Sequence, residues 1–171
     1  MRRCRGYSPP LTRRTDVGYD AKLAELGIEL PPVSAALASY VPVRVHGNTA
    51  FVSGQLPFID GELVTGTVGD SVDMDRALAA ARACGLMILA QLRAELGSLD
   101  RVQQIVKLGG FVACTPHFIE QHKVANGASD LMAEVFGDAG RHARAAVGVP
   151  SLPLGAAVEV DAIVALTDSD G

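Results

Sequence analysis

The chain is poor in cysteine: Cys4, Cys84 and Cys114 are its only three. An odd and scattered set makes neither a zinc spacing nor a disulfide framework. Cys84 lies within a helical apolar pattern and reads as a small core residue. Without a disulfide framework the expected compartment is reducing, the cytoplasm. Charged side chains are also sparse, at 20% against 49% apolar, which excludes a disordered chain. No apolar run reads as long enough to span a membrane, and no secretory apolar region is present, so no membrane partner is expected. The four histidines, His46, His117, His122 and His142, lack zinc-enzyme spacing, and neither a metal nor an organic cofactor is suggested. Acids are missing from residues 1–15, which hold five arginines; the remainder carries ten basic and nineteen acidic residues. An acidic body matches a phosphate backbone poorly, so no nucleic-acid partner is expected for the folded part.

What is present suits one domain with a proper core, since 171 residues leave little room for two. Residues 1–16 stand apart as an Arg-rich segment with a Pro-Pro pair and read as a flexible tail. A transit peptide is a second reading, and a misplaced translation start, with Val17 as the natural beginning, is a third. Residues 17–171 are the expected domain. It opens with a short amphipathic helix from Val17 to Ile28 that ends at Gly27, before Pro31-Pro32.

Two short strands follow, Val41–His46 and Thr49–Gly54, joined by a Gly47-Asn48 hairpin link. Val52-Ser-Gly-Gln-Leu-Pro57 then leaves the strand, and Gly54 permits a close backbone approach. Asp60-Gly61 is a strong turn signal. The longest helical pattern runs from Asp73 to Leu96, with Ala77, Ala80, Ala81, Cys84, Ile88, Gln91 and Leu92 near one face. Ser71 or Asp70 offers its cap and Gly97 its end. Arg101 to Ala113 reads as a strand in which Gly109-Gly110 implies a bulge or another backbone packed close. Thr115-Pro116 has the form of a helix opening, and Phe118 to Phe136 reads as a helix with a possible break at Asn126-Gly127. The element order suits an α+β layout: a mixed β-sheet with two helices packed on one face. Its uncovered face keeps Val147, Val149 and Ile163, which implies another copy of the chain as partner.

The C-terminal stretch carries the most chemistry. Arg144 opens an apolar strand, a Pro150–Pro153 turn follows, and Val158 to Leu166 alternates with period two. Glu159 sits inside that apolar strand, where a carboxylate must find a partner or change its pKa. Two neighbouring strands could bring Arg144 and Glu159 to the same end of a sheet. The run from Arg144 through Leu152-Pro153 to Val158-Glu-Val-Asp-Ala-Ile163 resembles the C-terminal signature of the RidA/YjgF-type reactive intermediate (enamine/imine) deaminase family, also called the endoribonuclease L-PSP family. Tyr40 and Phe51-Val-Ser-Gly-Gln-Leu-Pro57 are similar to a second family segment. The resemblance covers Tyr40 to Leu166. It implies a chorismate-mutase-like, YjgF-type fold and a homotrimer with clefts between subunits. It also implies cofactor-free hydrolysis of small carboxylate-bearing, 2-aminoacrylate-like enamines or imines to a ketoacid and ammonia.

Such a reaction needs a cation for the substrate carboxylate, a placed water and a group to handle its proton. By the resemblance Arg144 is the anchor, its planar fork matching both oxygens. Glu159, its pKa raised by desolvation, orients or deprotonates the water. Tyr40, Ser53 and the Gly54 backbone line the substrate site. The bland alternative is an Arg144–Glu159 ion pair that ties strands or subunits together. His142 and Arg141 read as solvated loop residues. Three departures thin the pocket lining: Ala146 where the family has Cys, Pro116 where it has a polar amide, and Gly148 where it has a polar residue. A trimeric small-carboxylate-binding protein without turnover is therefore a second expectation, and a ribonuclease a third.

Overall fold

The structure, a computed structural model, describes residues 18–33 and 40–168. The tail 1–16 and Cys4 lie outside the described residues. The first element is α1 (Tyr19–Glu25), whose amphipathic pattern buries Tyr19 and Leu23. Gly27 follows at φ 65°, the left-handed geometry that favours glycine after a helix. Tyr19 packs edge-on against Phe136 with ring centroids 4.7 Å apart.

Strands β1 (Val43–His46) and β2 (Thr49–Gln55) form the expected antiparallel hairpin around Gly47-Asn48. β2 runs on through Ser53 and Gly54 to Gln55, where the sequence suggested an exit. The pairing register shifts between Val52 and Gln55, so Ser53-Gly54 is a bulge within the strand. Asp60-Gly61 turns a small hairpin of β3 (Phe58–Ile59) and β4 (Glu62–Leu63), both turn residues having positive φ.

The long helix α2 (Met74–Leu96) is capped by Asp73, whose carboxylate accepts from the Arg76 amide at 2.8 Å. Ser71 and Asp70, the caps suggested by sequence, lie two and three residues too early. Gly97 at φ 81° ends the helix. By length and composition alone α2 could cross a membrane, contrary to the sequence reading that no apolar run is long enough. Here Ala77, Ala80, Ala81, Cys84, Ile88, Leu89 and Leu92 are buried in the core, and the alanines let the helix lie close on the sheet.

Strand β5 (Val102–Ala113) follows, then α3 (Gln121–Val124), α4 (Asn126–Phe136), β6 (Ala143–Val149) and β7 (Val158–Leu166). Thr115-Pro116 does not open a helix. Cys114 bridges to Val68, and the Thr115 amide donates to the Val68 carbonyl, which ties the chain to the loop before α2. The helical segment starts only at Gln121 and breaks at Ala125, one residue before the suggested Asn126-Gly127.

The sheet order is β1-β2-β7-β5-β6, with β5·β6 parallel and every other pair antiparallel. This is the mixed sheet of an α+β fold, and α2 and α4 both cover one face. Leu108, Gly110 and Val112 of β5 pair with Ala162, Val160 and Val158 of β7 and share the helix-covered face. Glu159, Asp161 and Ile163 of β7 occupy the other face, with Phe51, Gly109 and Phe111 beside them. The β5 register shifts lie near Gln104 and Val106, not at Gly109-Gly110. What comes close to Gly109 is the Asp161 carboxylate, and over Gly110 it is Ala125 Cβ.

Asp73→Ala removes the α2 cap and is expected to lower stability by about 1 kcal/mol. A urea melt checks this, and an unchanged midpoint would remove Asp73 from the account of how α2 begins.

Candidate functional site

Arg144 is the second residue of β6, an edge strand. Its ladder neighbour is Leu108, which pairs in turn with Ala162, so its side chain belongs to the helix-covered face. There Nη1 donates to Asn126 Oδ1 and to Ser129 Oγ, each at 2.9 Å, and Nη2 donates to the His122 carbonyl at 3.0 Å. Asn126 and Ser129 lie one turn apart on α4, so both side chains reach the same spot. Three of the five guanidinium N–H groups are thus used to hold the group still. Among the described residues, Nε and one hydrogen of Nη2 have no partner, and the side chain is exposed.

Glu159 lies on β7, and β5 separates it from β6. The expectation that the two strands are neighbours is therefore corrected. Glu159 pairs with Phe111, and Phe111 with Val147, so Glu159 and Arg144 stand two strands apart and three ladder steps offset. Their Cα atoms are about 14 Å apart by ideal strand geometry, and the side chains leave opposite faces. The two make no ion pair within one chain.

The surroundings of Glu159 are nonetheless distinctive. Its carboxylate lies over the Ser53-Gly54 bulge, and a Cβ at position 54 would overlap it. Ser53 is fixed by the buried Gln55, whose Nε2 donates to Ser53 Oγ at 3.1 Å and to its carbonyl at 3.0 Å. Partial burial pushes the Glu159 carboxyl above the usual carboxylate range, and the neighbouring Asp161 charge pushes it further the same way. Tyr40 is exposed, two residues before Pro42, whose carbonyl accepts from the Ser53 amide. One chain therefore carries its candidate residues in two separate groups. Glu159, Ser53 and Gly54 meet on the open face, with Tyr40 on the adjoining segment, and Arg144 stands on the helix side of the sheet edge.

The Arg144 group holds residues the sequence did not single out. His142, read as a solvated loop residue, is half-buried and lies 3.0 Å from Ser129 Oγ. Arg141 does point outward, paired with Asp138. Strand alternation puts residues 142 and 144 on one face, a signal the sequence did contain. Ala146 and Gly148 continue the same row along β6. A Cβ at Gly148 would stand 2.8 Å from both Cys114 Sγ and Gln121 Nε2. Gln121 is braced by the Phe118 carbonyl at 2.6 Å. A side-chain amide thus does stand beyond the end of β5, supplied by Gln121 rather than by position 116. Among the described residues no three His, Cys, Asp or Glu side chains gather as a metal set.

Residues 20–166 match the family model described as "YjgF/chorismate_mutase-like, putative endoribonuclease". The chain belongs to the YjgF/RidA family. Protein TCP17 of Trypanosoma cruzi is 53% identical over 150 residues, 86% of this chain and 94% of that protein. A solved protein of unknown function from Agrobacterium tumefaciens superposes with a TM-score of 0.80 at 51% identity, covering 88% of this chain and 94% of the other. RidA from the Antarctic bacterium Psychrobacter is 28% identical with a TM-score of 0.52, covering 77% of this chain and 92% of the other. This YjgF/RidA family member thus shares more of its shape with the Agrobacterium protein than with that RidA.

Two outcomes follow from the Glu159 group. A raised carboxyl binds its proton more tightly folded than unfolded. It therefore adds stability below the ordinary carboxylate range, and that stability is lost as pH rises through the raised value. Thermal melts across the acidic range are expected to show this loss in wild type and a smaller one in Glu159→Gln; identical profiles would contradict the assignment. Gly54→Ala is expected to displace the Glu159 carboxylate, visible as a changed Glu159 titration by NMR, and an unmoved titration would show that the bulge does not set its position.

Proposed function

We propose that this protein is a cofactor-free deaminase of the RidA type, hydrolysing small carboxylate-bearing enamines or imines at a site built from two copies of the chain. The observation that carries the reading is the division of the site. A guanidinium held by three hydrogen bonds, with donors to spare, stands at one sheet edge, and a carboxyl with a raised pKa waits on the opposite face. Neither half suffices for the reaction. The open face also leaves Phe51 and Val147 exposed at 46% and 45%, an apolar surface that a second copy would cover. A homotrimer with clefts between subunits sets the edge of one copy against the open face of the next.

In that cleft the substrate carboxylate docks on Arg144 Nε and Nη2. An enamine first moves a proton from its nitrogen to its terminal carbon through solvent and becomes the imine. Glu159 takes a proton from water as the water oxygen bonds to the imine carbon, and passes it to the nitrogen. The hydroxyl proton of that adduct then travels through Glu159 to the nitrogen, the carbon–nitrogen bond breaks, ammonia leaves, and the carbonyl of the ketoacid forms. A carboxyl raised by burial is a stronger base than an ordinary one, which suits a group that must both take and return a proton. RidA among the relatives supports the reading. The endoribonuclease description attached to the family enters as a rival, and the acidic body weighs against it.

The row beside Arg144 gives a second reading its footing. Ala146 and Gly148 offer no side-chain donor, so a carboxylate could bind there without turning over. Ammonia release from an enzymatically generated amino-acid enamine decides between them. Wild type is expected to accelerate it, and Arg144→Ala to lose about 100-fold or more, the equivalent of two charge-assisted hydrogen bonds. Bound ketoacid without ammonia release would establish the binding protein. RNA cleavage abolished by Arg144→Ala would establish the ribonuclease.

A further inference from the structure

The side chains around Arg144 form a hydrogen-bonded chain whose proton positions the geometry fixes. His142 Nδ1 lies 2.6 Å from the Gly140 carbonyl. A carbonyl only accepts, so Nδ1 carries the proton. In the neutral ring Nε2 is then the acceptor, and Ser129 Oγ, 3.0 Å away, donates to it. With its hydrogen committed to His142, Ser129 turns its lone pairs to Arg144, whose Nη1 donates at 2.9 Å. A single oxygen atom thus links imidazole and guanidinium between α4 and β6.

We propose that His142, acting through Ser129, is the proton-linked positioning residue of Arg144: a small carboxylate that binds the guanidinium draws a proton onto the imidazole, and the site takes its anion more tightly in acid. The inference rests on Arg144 being the carboxylate anchor proposed above. With the anchor empty, burial holds the imidazole below the ordinary histidine value. The Gly140 carbonyl pulls it partly back, and the Arg144 charge pushes it down again. A bound carboxylate brings one negative charge that offsets the Arg144 charge, so protonation becomes easier. Coupling between two binding events is reciprocal, so the proton must strengthen the anion by the same factor. The chain survives protonation, because Nε2–H can donate to Ser129 Oγ while that oxygen still accepts from Arg144.

The other charged groups nearby are largely committed elsewhere. On α4, Glu134 pairs with Arg82 at 2.9 Å and Asp130 is exposed. In the turn before β6, Asp138 pairs with Arg141. On α3, His122 is exposed and Lys123 pairs with Glu120. On β5, Lys107 is exposed beside Ala143. Arg144 is the charge that bears on the His142 imidazole.

The test is an NMR titration of the full-length protein with pyruvate, whose carboxyl stays ionised throughout. Saturating pyruvate is expected to raise the apparent pKa of His142 by about half a unit or more, and pyruvate affinity to rise about twofold to threefold between about pH 8 and about pH 5. In a Glu159→Gln background, which removes the other titrating carboxyl of the proposed cleft, adding His142→Gln should abolish the gain in acid. Ser129→Ala should weaken binding, and Ser129→Thr, which keeps the hydroxyl, should restore it. Pyruvate binding that depends on Arg144 but leaves the His142 titration unmoved overturns the inference and leaves the anchor standing. So does an acid gain that persists when His142→Gln is added to Glu159→Gln. Pyruvate that binds equally to wild type and Arg144→Ala, or to neither, overturns both.

Discussion

The two-residue period of a β-strand decides where this protein can do chemistry. Alternation sends Arg144 to the helix-covered side of the sheet and Glu159 to the open side, with β5 between their strands. No side-chain rotation overcomes that separation. The cation and the acid of the proposed reaction can serve one substrate only if they come from different copies. The apolar residues left on the open face and the exposed guanidinium at the sheet edge are then two consequences of one arrangement.

Each half is stiffened by local means. Arg144 is held by the spacing of Asn126 and Ser129 on α4 and by the His122 carbonyl, so a long and mobile side chain is fixed before any ligand arrives. That removes part of the ordering cost of binding. Glu159 is held by packing over Gly54, where the absence of a side chain is what gives the carboxylate its room. The bulge that carries Gly54 is locked by Gln55, a buried amide with both its donors turned back on Ser53. Gly54, which the sequence singled out, and Gln55, which it did not, thus set the position of the titrating group on the open face.

Much of the fold was legible because the periods are strong. The alanine stripe of α2, the alternation of β7 and the turn at Asp60-Gly61 each follow from spacing and turn chemistry. Thr115-Pro116 misled because tertiary bonding to Val68 took the backbone groups that a helix start would have used. The open route through Ser53-Gly54 misled because a bulge and a strand end share the same local sequence. At the site, Arg144 and Glu159 stood out as charges in apolar strands. Their placement on opposite faces was not legible, because it depends on which strand lies between them. Asn126, Ser129 and Gln121 were missed because they act from helices, and only the crossover between β5 and β6 brings Asn126 and Ser129 to Arg144 and Gln121 to Gly148.

The divided site is tested most directly by mixing subunits. Arg144→Ala and Glu159→Gln chains, each expected to be inactive alone, are unfolded together and refolded into mixed assemblies, and ammonia release from an amino-acid enamine is measured. The account predicts that activity returns in the mixture, because some clefts then receive the intact arginine from one copy and the intact glutamate from another. Assemblies that form normally but stay as inactive as the separate variants would contradict it.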